Sequence, residues 1–344
     1  MATKAILLAN LGSPDSFSNK DVRKYLNDFL MDERVIDISF WKRILLVKGV
    51  IVPFRTSKSA AKYKTIWTEN GSPLIYISGL VKEKLSKLTR LPVELCMRYG
   101  NPTPSFALSK LHNDNPNLKE VVLVPLYPHY AMSSFETAIE HVKQAVAIGN
   151  YSFTLKVVSP FFDHPSYIDS LANSIQPFLE KEFDHILFSY HGIPERHILK
   201  TDFTKSHCLK INDCCCQSSS VHEVCYRHQV ITTTNLAAKK LALPEDKFSY
   251  SFQSRLGSDP WLQPYTSEQL KKFPGQGIRK LVIVSPAFVS DCLETLEEIR
   301  VEGMTDFLKS GGEEFTPIPC LNDRDDWIKT LAELAKSKAI ELKG

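Results

Sequence analysis

The sequence predicts an α/β protein of two similar domains, each with a mainly parallel sheet of about four strands flanked by helices. Short apolar runs alternate with amphipathic ones along nearly the whole chain, the pattern of strand–helix units joined by right-handed crossovers. The halves also echo each other. ILLANLGSP (Ile6–Pro14) overlies ILFSYHGIP (Ile186–Pro194) at a constant offset of 180 residues, and VVLVPLYPHYAMSSFET (Val121–Thr137) resembles LVIVSPAFVSDCLET (Leu281–Thr295). A third pair, CMRYG ending at Gly100 and FQSRLG ending at Gly257, falls in the same order, as a duplication requires. Finally, 344 residues are enough for two domains with separate cores.

The strands expected from these runs are Ala5–Asn10, Val93–Met97, Val121–Pro125, Thr154–Ser159, His185–Tyr190, Phe248–Phe252, Leu281–Ser285 and Phe315–Pro319. Helical spacing joins Val22, Tyr25, Leu26, Phe29 and Leu30, and again Trp327, Leu331, Leu334 and Ala335. The domain boundary is expected near Asp163–Pro165, giving domains of 1–164 and 165–322. The terminal helical stretch 323–344 is free to pack back on the first domain.

A hydrophobic fraction of 43% and a charged fraction of 24% are globular values. A formal charge of +3 without blocks of like charge argues against a nucleic-acid partner. The first apolar run stops at Asn10, as a strand rather than a signal peptide would. No stretch approaches the ~20 apolar residues of a spanning helix. A cytoplasmic setting follows, in which the eight cysteines read as thiols or metal ligands rather than disulfides.

His191 stands where an apolar strand meets the turn made by Gly192 and Pro194. In open parallel sheets, ligands bind beyond the carboxyl ends of strands, here expected in a cleft between the domains. In the second half a helix is expected to start near Ser290 as N-cap, placing Asp291, Glu294 and Glu298 on one face. A carboxylate row beside an imidazole can pass protons or hold a divalent cation; a solvated acidic helix start is the plainer alternative. Arg98, Tyr99, Tyr127, Tyr130, Arg255 and Trp261 add cations and aromatic surface suited to a large flat anionic ligand, and packing roles fit each of them singly.

Together the blocks NLGSPDS, RTSKSAAKYKTIWTENGSPL (Arg55–Leu74), MRYGNPTPS (Met97–Ser105), PLYPHYA (Pro125–Ala131), SYHGIPERH, FQSRLGSDPWLQPYT (Phe252–Thr266) and PAFVSDCLETLEEI resemble the ferrochelatases, in family order from about residue 6 to residue 300. That resemblance implies the chelatase fold of two Rossmann-like domains, and a lyase that inserts Fe²⁺, its metal substrate, into protoporphyrin to give protohaem. It implies His191 and Glu294 at the metal site and Asp291 and Glu298 along the path of protons or iron. Ser254, Trp261 and Tyr63 would hold or distort the ring, Tyr99 would line it, and Arg98 and Arg255 would meet its propionates. A coproporphyrin or cobalt chelatase, or a non-catalytic tetrapyrrole or metal carrier, would share the same blocks. A monomer and a homodimer are both compatible with the sequence.

Residues 205–229 hold five of the eight cysteines: Cys208, Cys214, Cys215, Cys216 and Cys225. A zinc site helped by His207, His222 or His228, a [2Fe–2S] cluster and a redox disulfide pair all remain open, because no CxxC is present. The resemblance favours the [2Fe–2S] cluster, since certain bacterial ferrochelatases carry a similar internal insert, with Cys208, Cys214, Cys215 and Cys225 as ligands and Cys216 as the alternative. Zinc is the competing metal. Residues 29–54 mix Phe29, Leu30, Ile44, Leu45, Leu46, Val50, Ile51 and Phe54 with Lys42, Arg43 and Lys48. Such a stretch is either an ordinary packed helix or an apolar lip for peripheral contact with the inner face of a membrane.

Overall fold

A computed structural model describes every residue except Met1, Leu256, Ser258, Lys338 and 342–344. The chain forms two compact units. The first comprises Met1–Leu126, Met132–Ser159 and Asp323–Gly344; the second comprises Tyr127–Ala131 and Pro160–Asn322.

The first unit holds strands β1 (Lys4–Ser13), β2 (Val93–Gly100), β3 (Glu120–Pro125), β4 (Thr154–Val158) and β9 (Ala339–Glu341), in the order β2-β1-β3-β4-β9. The second holds β5 (His185–His191), β6 (Phe248–Gln253), β7 (Lys280–Val284) and β8 (Glu314–Pro317), in the order β6-β5-β7-β8. All pairings are parallel except β4 with β9. Each sheet therefore has the order second-first-third-fourth, and the three sequence echoes fall on equivalent pairs: β1 with β5, β2 with β6, β3 with β7. Five of the eight expected strands, β1, β2, β3, β5 and β6, are longer than the apolar runs, and β9 is additional.

The strands are apolar because both faces are covered. Ala5 to Leu8 in β1 and Ile186 to Phe188 in β5 are at most 1% exposed. In the second unit Leu187, Leu281 and Ile283 pack with Leu270, Phe273, Ile299, Phe307 and Phe315 from the helices and β8. In the first, the helix Asp325–Ser337 buries Trp327, Ile328, Leu331 and Leu334, and Lys84 of the helix Pro73–Thr89 pairs with Asp323 at 2.9 Å.

Gly12 shows why the turn after β1 needs glycine. Its φ is +103°, and a Cβ would stand 1.7 Å from the carbonyl oxygen of Tyr99 on β2.

Residues 40–66 form one helical run, Phe40–Ile44, Leu45–Ile51 and Val52–Ile66, whose middle segment is π-helical. Phe40, Trp41, Leu45, Val50 and Phe54 are exposed. Leu30 and Arg43, expected in the same apolar lip, instead turn inward: Leu30 belongs to the core, and Arg43 donates to the carbonyls of Ile36 and Ile38 at 3.1 and 3.2 Å. No described helix is long and apolar enough to cross a membrane.

Candidate active site

His191 is the last residue of β5, half-buried at the strand's carboxyl end. The peptide that follows it is held at both ends. Tyr226 donates its hydroxyl to the His191 carbonyl at 2.8 Å, and Gly192 donates its N–H to Gln253 O at 2.8 Å. The imidazole Nδ1 then lies 2.6 Å from Gly192 O. A carbonyl can only accept, so Nδ1 carries a proton, and in the neutral imidazole the lone pair falls on Nε2. Phe288 packs edge-on to the ring at 6.3 Å.

The long loop after β6 is stitched to this turn. Leu262 N–H donates to Ile193 O at 3.1 Å and Glu195 N–H to Pro260 O at 3.0 Å, while Pro194 and Trp261 form an isolated bridge. Gly192 has no room for a side chain, since a Cβ would lie 2.8 Å from Gln253 O and 3.2 Å from Trp261 Cε3. Trp261 Nε1 is buried without a hydrogen-bond partner among the described residues, an unspent donor beside the histidine turn. Ser254 adopts φ +66° and donates its hydroxyl to Glu298 Oε2 at 2.6 Å. Arg255 is exposed, with its guanidinium 5.1 Å over the Tyr265 ring.

The acidic row differs from its α-helical expectation. The segment Glu294–Gly303 is a π-helix that starts only after Leu293, so Ser290 is not its cap; its buried hydroxyl makes no hydrogen bond among the described residues. π-helical turns are uncommon and cluster at functional sites. Asp291 stands before the helix. It accepts from Thr295 Oγ1 at 2.8 Å, Asn322 Nδ2 at 2.7 Å and Cys320 N at 3.4 Å. Glu294 and Glu298 both lie on the helix and are half-buried. Burial, with the Glu294 carboxylate hydrogen-bonded beside it, pushes the Cys292 thiol well above its usual pKa.

The first unit's site residues are bound to one another. Arg98 donates to Asp32 Oδ2 at 2.5 Å and to Thr137 Oγ1 at 2.7 Å, and Tyr99 donates to the same Asp32 oxygen at 2.8 Å. Burial opposes ionisation of Asp32, but donors from Thr137, the Arg34 backbone, Arg98 and Tyr99 hold its pKa below the usual range. Arg98 is thus engaged by a carboxylate within its own unit. Tyr63 is buried edge-on against Tyr25 at 6.2 Å.

In the insert, four of the five sulfurs face inward. Cys208, Cys214 and Cys225 are buried, Cys215 is half-buried and Cys216 is exposed. Cys225 caps the helix Tyr226–Lys240. A hydrogen bond from the Cys215 thiol, opposed by burial and helped by the His228 N–H, the Cys208 thiol and the Arg227 N–H, lowers the Cys225 pKa to about 6. Arg227 Nη1 lies 3.9 Å from Cys214 Sγ. The three histidines serve the backbone: His207 and His222 reach Cys214 O at 2.7 and 3.0 Å, and His228 reaches Cys215 O at 2.8 Å. Among the described residues, no group of three or more His, Cys, Asp or Glu side chains is already arranged as a metal-binding set. The insert's cysteines are thiols whose donor chemistry suits iron or zinc once deprotonated.

Sequence reasoning missed Tyr226, Phe288 and Asp202. Asp202 accepts from the backbone of Thr204, Lys205, His207 and Cys208 at 2.9, 3.2, 3.0 and 2.9 Å and so folds the start of the insert. DFTKSHC, an aspartate followed by Thr and Ser, is the one local signal for it.

The ferrochelatase family model matches residues 3–339. A ferrochelatase of Opitutus terrae is 47% identical over 340 residues, covering 98% of each chain. One from Pseudomonas fluorescens Pf0-1 is 44% identical over 344 residues, covering 99% of this chain and all of the relative. Among solved structures, the sirohydrochlorin chelatase SirB of Bacillus subtilis subspecies spizizenii, in complex with cobalt, aligns with a TM-score of 0.55 at 10% identity, over 98% of this chain and 95% of its own. SirB from Bacillus subtilis with Fe³⁺ gives 0.52 at 11% identity, over 98% and 96%. These two likenesses establish the chelatase fold. With the family match and the relatives spanning nearly the full length, the chain belongs to the ferrochelatase family.

Proposed function

We propose that the protein inserts ferrous iron into protoporphyrin IX, releasing two protons, to give protohaem. The observation that carries this reading is the pinned His191, whose free Nε2 stands at the carboxyl edge of the second sheet. Insertion requires two pyrrole protons to leave, Fe²⁺ to shed water, and the flat macrocycle to bend. His191 accepts a pyrrole proton at Nε2, and the Nδ1–H shared with Gly192 O steadies the imidazolium that results. Glu294 and Glu298 draw the metal substrate and carry protons away, with Ser254 orienting Glu298 and Asp291 bracing the helix start. Such oxygen and nitrogen donors bind ferrous iron weakly enough to surrender it. Trp261 confines the ring, and exposed Arg255 meets a propionate. Arg98 and Tyr99, tied to Asp32, act through the firmness of the end of β2.

A paired assay of protoporphyrin and coproporphyrin with Fe²⁺, Zn²⁺ and Co²⁺ tests this reading. The expected result is the highest kcat/KM for protoporphyrin with Fe²⁺. A preference for coproporphyrin or Co²⁺ reassigns the substrate, and tight binding without turnover makes the protein a carrier.

For the insert we propose a [2Fe–2S] cluster held by Cys208, Cys214, Cys215 and Cys225, with Cys216 outside it. When bound, the group supplies a redox-active iron pair; iron insertion itself changes no oxidation state, so its work here is structural or sensory.

The exposed Phe40, Trp41, Leu45, Val50 and Phe54, beside Lys42 and Lys48, support peripheral contact with an anionic bilayer. The protein is expected to float with vesicles containing anionic lipid, and W41S/F54S to lose most of that binding. Failure of the unaltered protein to float sinks this assignment.

A further inference from the structure

We infer that Tyr226 is a positioning residue that ties the sulfur-bearing insert to the His191 imidazole. This rests on the reading of His191 and of the cysteine set given above.

Tyr226 follows Cys225 directly and opens the helix Tyr226–Lys240. On one side, Cys225 stands at the N-cap of that helix, so the sulfur-bearing residue and the first helical turn are one continuous segment. On the other, the Tyr226 hydroxyl donates to His191 O at 2.8 Å. The residue is 4% exposed and its ring packs against Phe252 of β6 and against His129, at 6.5 and 5.9 Å. A buried hydroxyl whose donor is committed to one carbonyl has little freedom. Gln229, one turn further on, fastens the same helix by donating to the carbonyls of His222 and Glu223 at 3.2 and 2.8 Å.

The carbonyl that Tyr226 holds belongs to the 191–192 peptide, whose N–H is held by Gln253 O. Rotation of that plane would carry Gly192 O away from Nδ1. The Nδ1–H tautomer, and with it the Nε2 lone pair, therefore depends on Tyr226. Displacing the first helical turn, as loss of the sulfur set would, releases the hydroxyl from the carbonyl. The insert thereby sets the working state of a histidine to which none of its cysteines need be bonded.

The test compares Tyr226→Phe with Tyr190→Phe, another buried hydroxyl, which bonds Thr234 Oγ1 at 2.8 Å. Tyr226→Phe is expected to lower kcat for Fe²⁺ insertion about fivefold, the size of one buried hydrogen bond, with the porphyrin KM unchanged; Tyr190→Phe keeps the unaltered kcat. In ¹⁵N-histidine spectra of the protein without its metal substrate, His191 is expected as the single Nδ1–H tautomer, and as a tautomer mixture in Tyr226→Phe. Cys225→Ser is expected to show the same mixture and the same fall in kcat, and the double variant no further fall. An unchanged His191 spectrum in Tyr226→Phe, or effects of the two variants that simply multiply, overturns the inference. If Tyr226→Phe does not fold, the His191 spectrum of Cys225→Ser decides alone, an unchanged tautomer being the negative result. Full activity in His191→Ala instead removes the catalytic reading on which the inference rests, a separate outcome.

Discussion

His191→Ala is expected to lower kcat for Fe²⁺ insertion by about 10²- to 10⁴-fold, the usual worth of a positioned acid–base group, with little change in the porphyrin KM. The imidazole is placed by bonds to backbone, not by contacts a substrate must bring. Its carbonyl takes the Tyr226 hydroxyl, its Nδ1 lies against Gly192 O, and the ring edge meets Phe288. Alanine removes the Nε2 lone pair but leaves strand pairing intact, because β5 joins β6 and β7 through the backbone. His191→Asn is the informative companion, since an amide keeps polarity but accepts protons poorly. Steady-state assays with both variants check the point, and an unchanged rate in His191→Ala sinks the proton-acceptor role.

Cys225→Ser is expected to leave the protein without protein-bound iron and acid-labile sulfide and without sulfur-to-iron charge-transfer bands, whereas Cys216→Ser keeps them. Cys225 is buried at the N-cap of the helix Tyr226–Lys240. Its pKa of about 6 means that it is a thiolate at pH 7 and needs no proton expelled before metal binds. Below pH 6 that advantage is lost, so loading is expected to weaken as the solution is acidified. Cys216 is exposed instead. Iron and sulfide analysis with a visible spectrum decides. A colourless protein holding one zinc would replace the cluster by zinc at the same sulfurs.

The central strands were legible because both faces are buried, which writes them as apolar runs such as ILFSY. β9 was not, because Ala339–Glu341 is a three-residue edge with two exposed positions. The internal echo was legible down to function: Leu11 stands where the second half has His191, and Glu136 aligns with Glu294. In the first half that glutamate pairs with Arg34 at 2.9 Å, a contact across 102 residues that local sequence cannot reveal. The same limit hid the capture of Arg98 by Asp32. The π-helix escaped because residues three and four apart suit an α-helix equally well, and the extra backbone reach shows only in hydrogen bonds. Tyr226 escaped because nothing near it in sequence points at His191, 35 positions away.

The chain crosses between its two units four times, with residues 127–131 and 160–322 in one and the remainder in the other. During synthesis the N-terminal unit cannot finish when its own four parallel strands have emerged. It still lacks the helix Asp325–Ser337 that buries Trp327 and Leu331, and β9, which closes the β4 edge. Those pieces leave the ribosome only after the whole second unit. The half that begins the chain is therefore completed last, and an open β4 edge persists through most of translation.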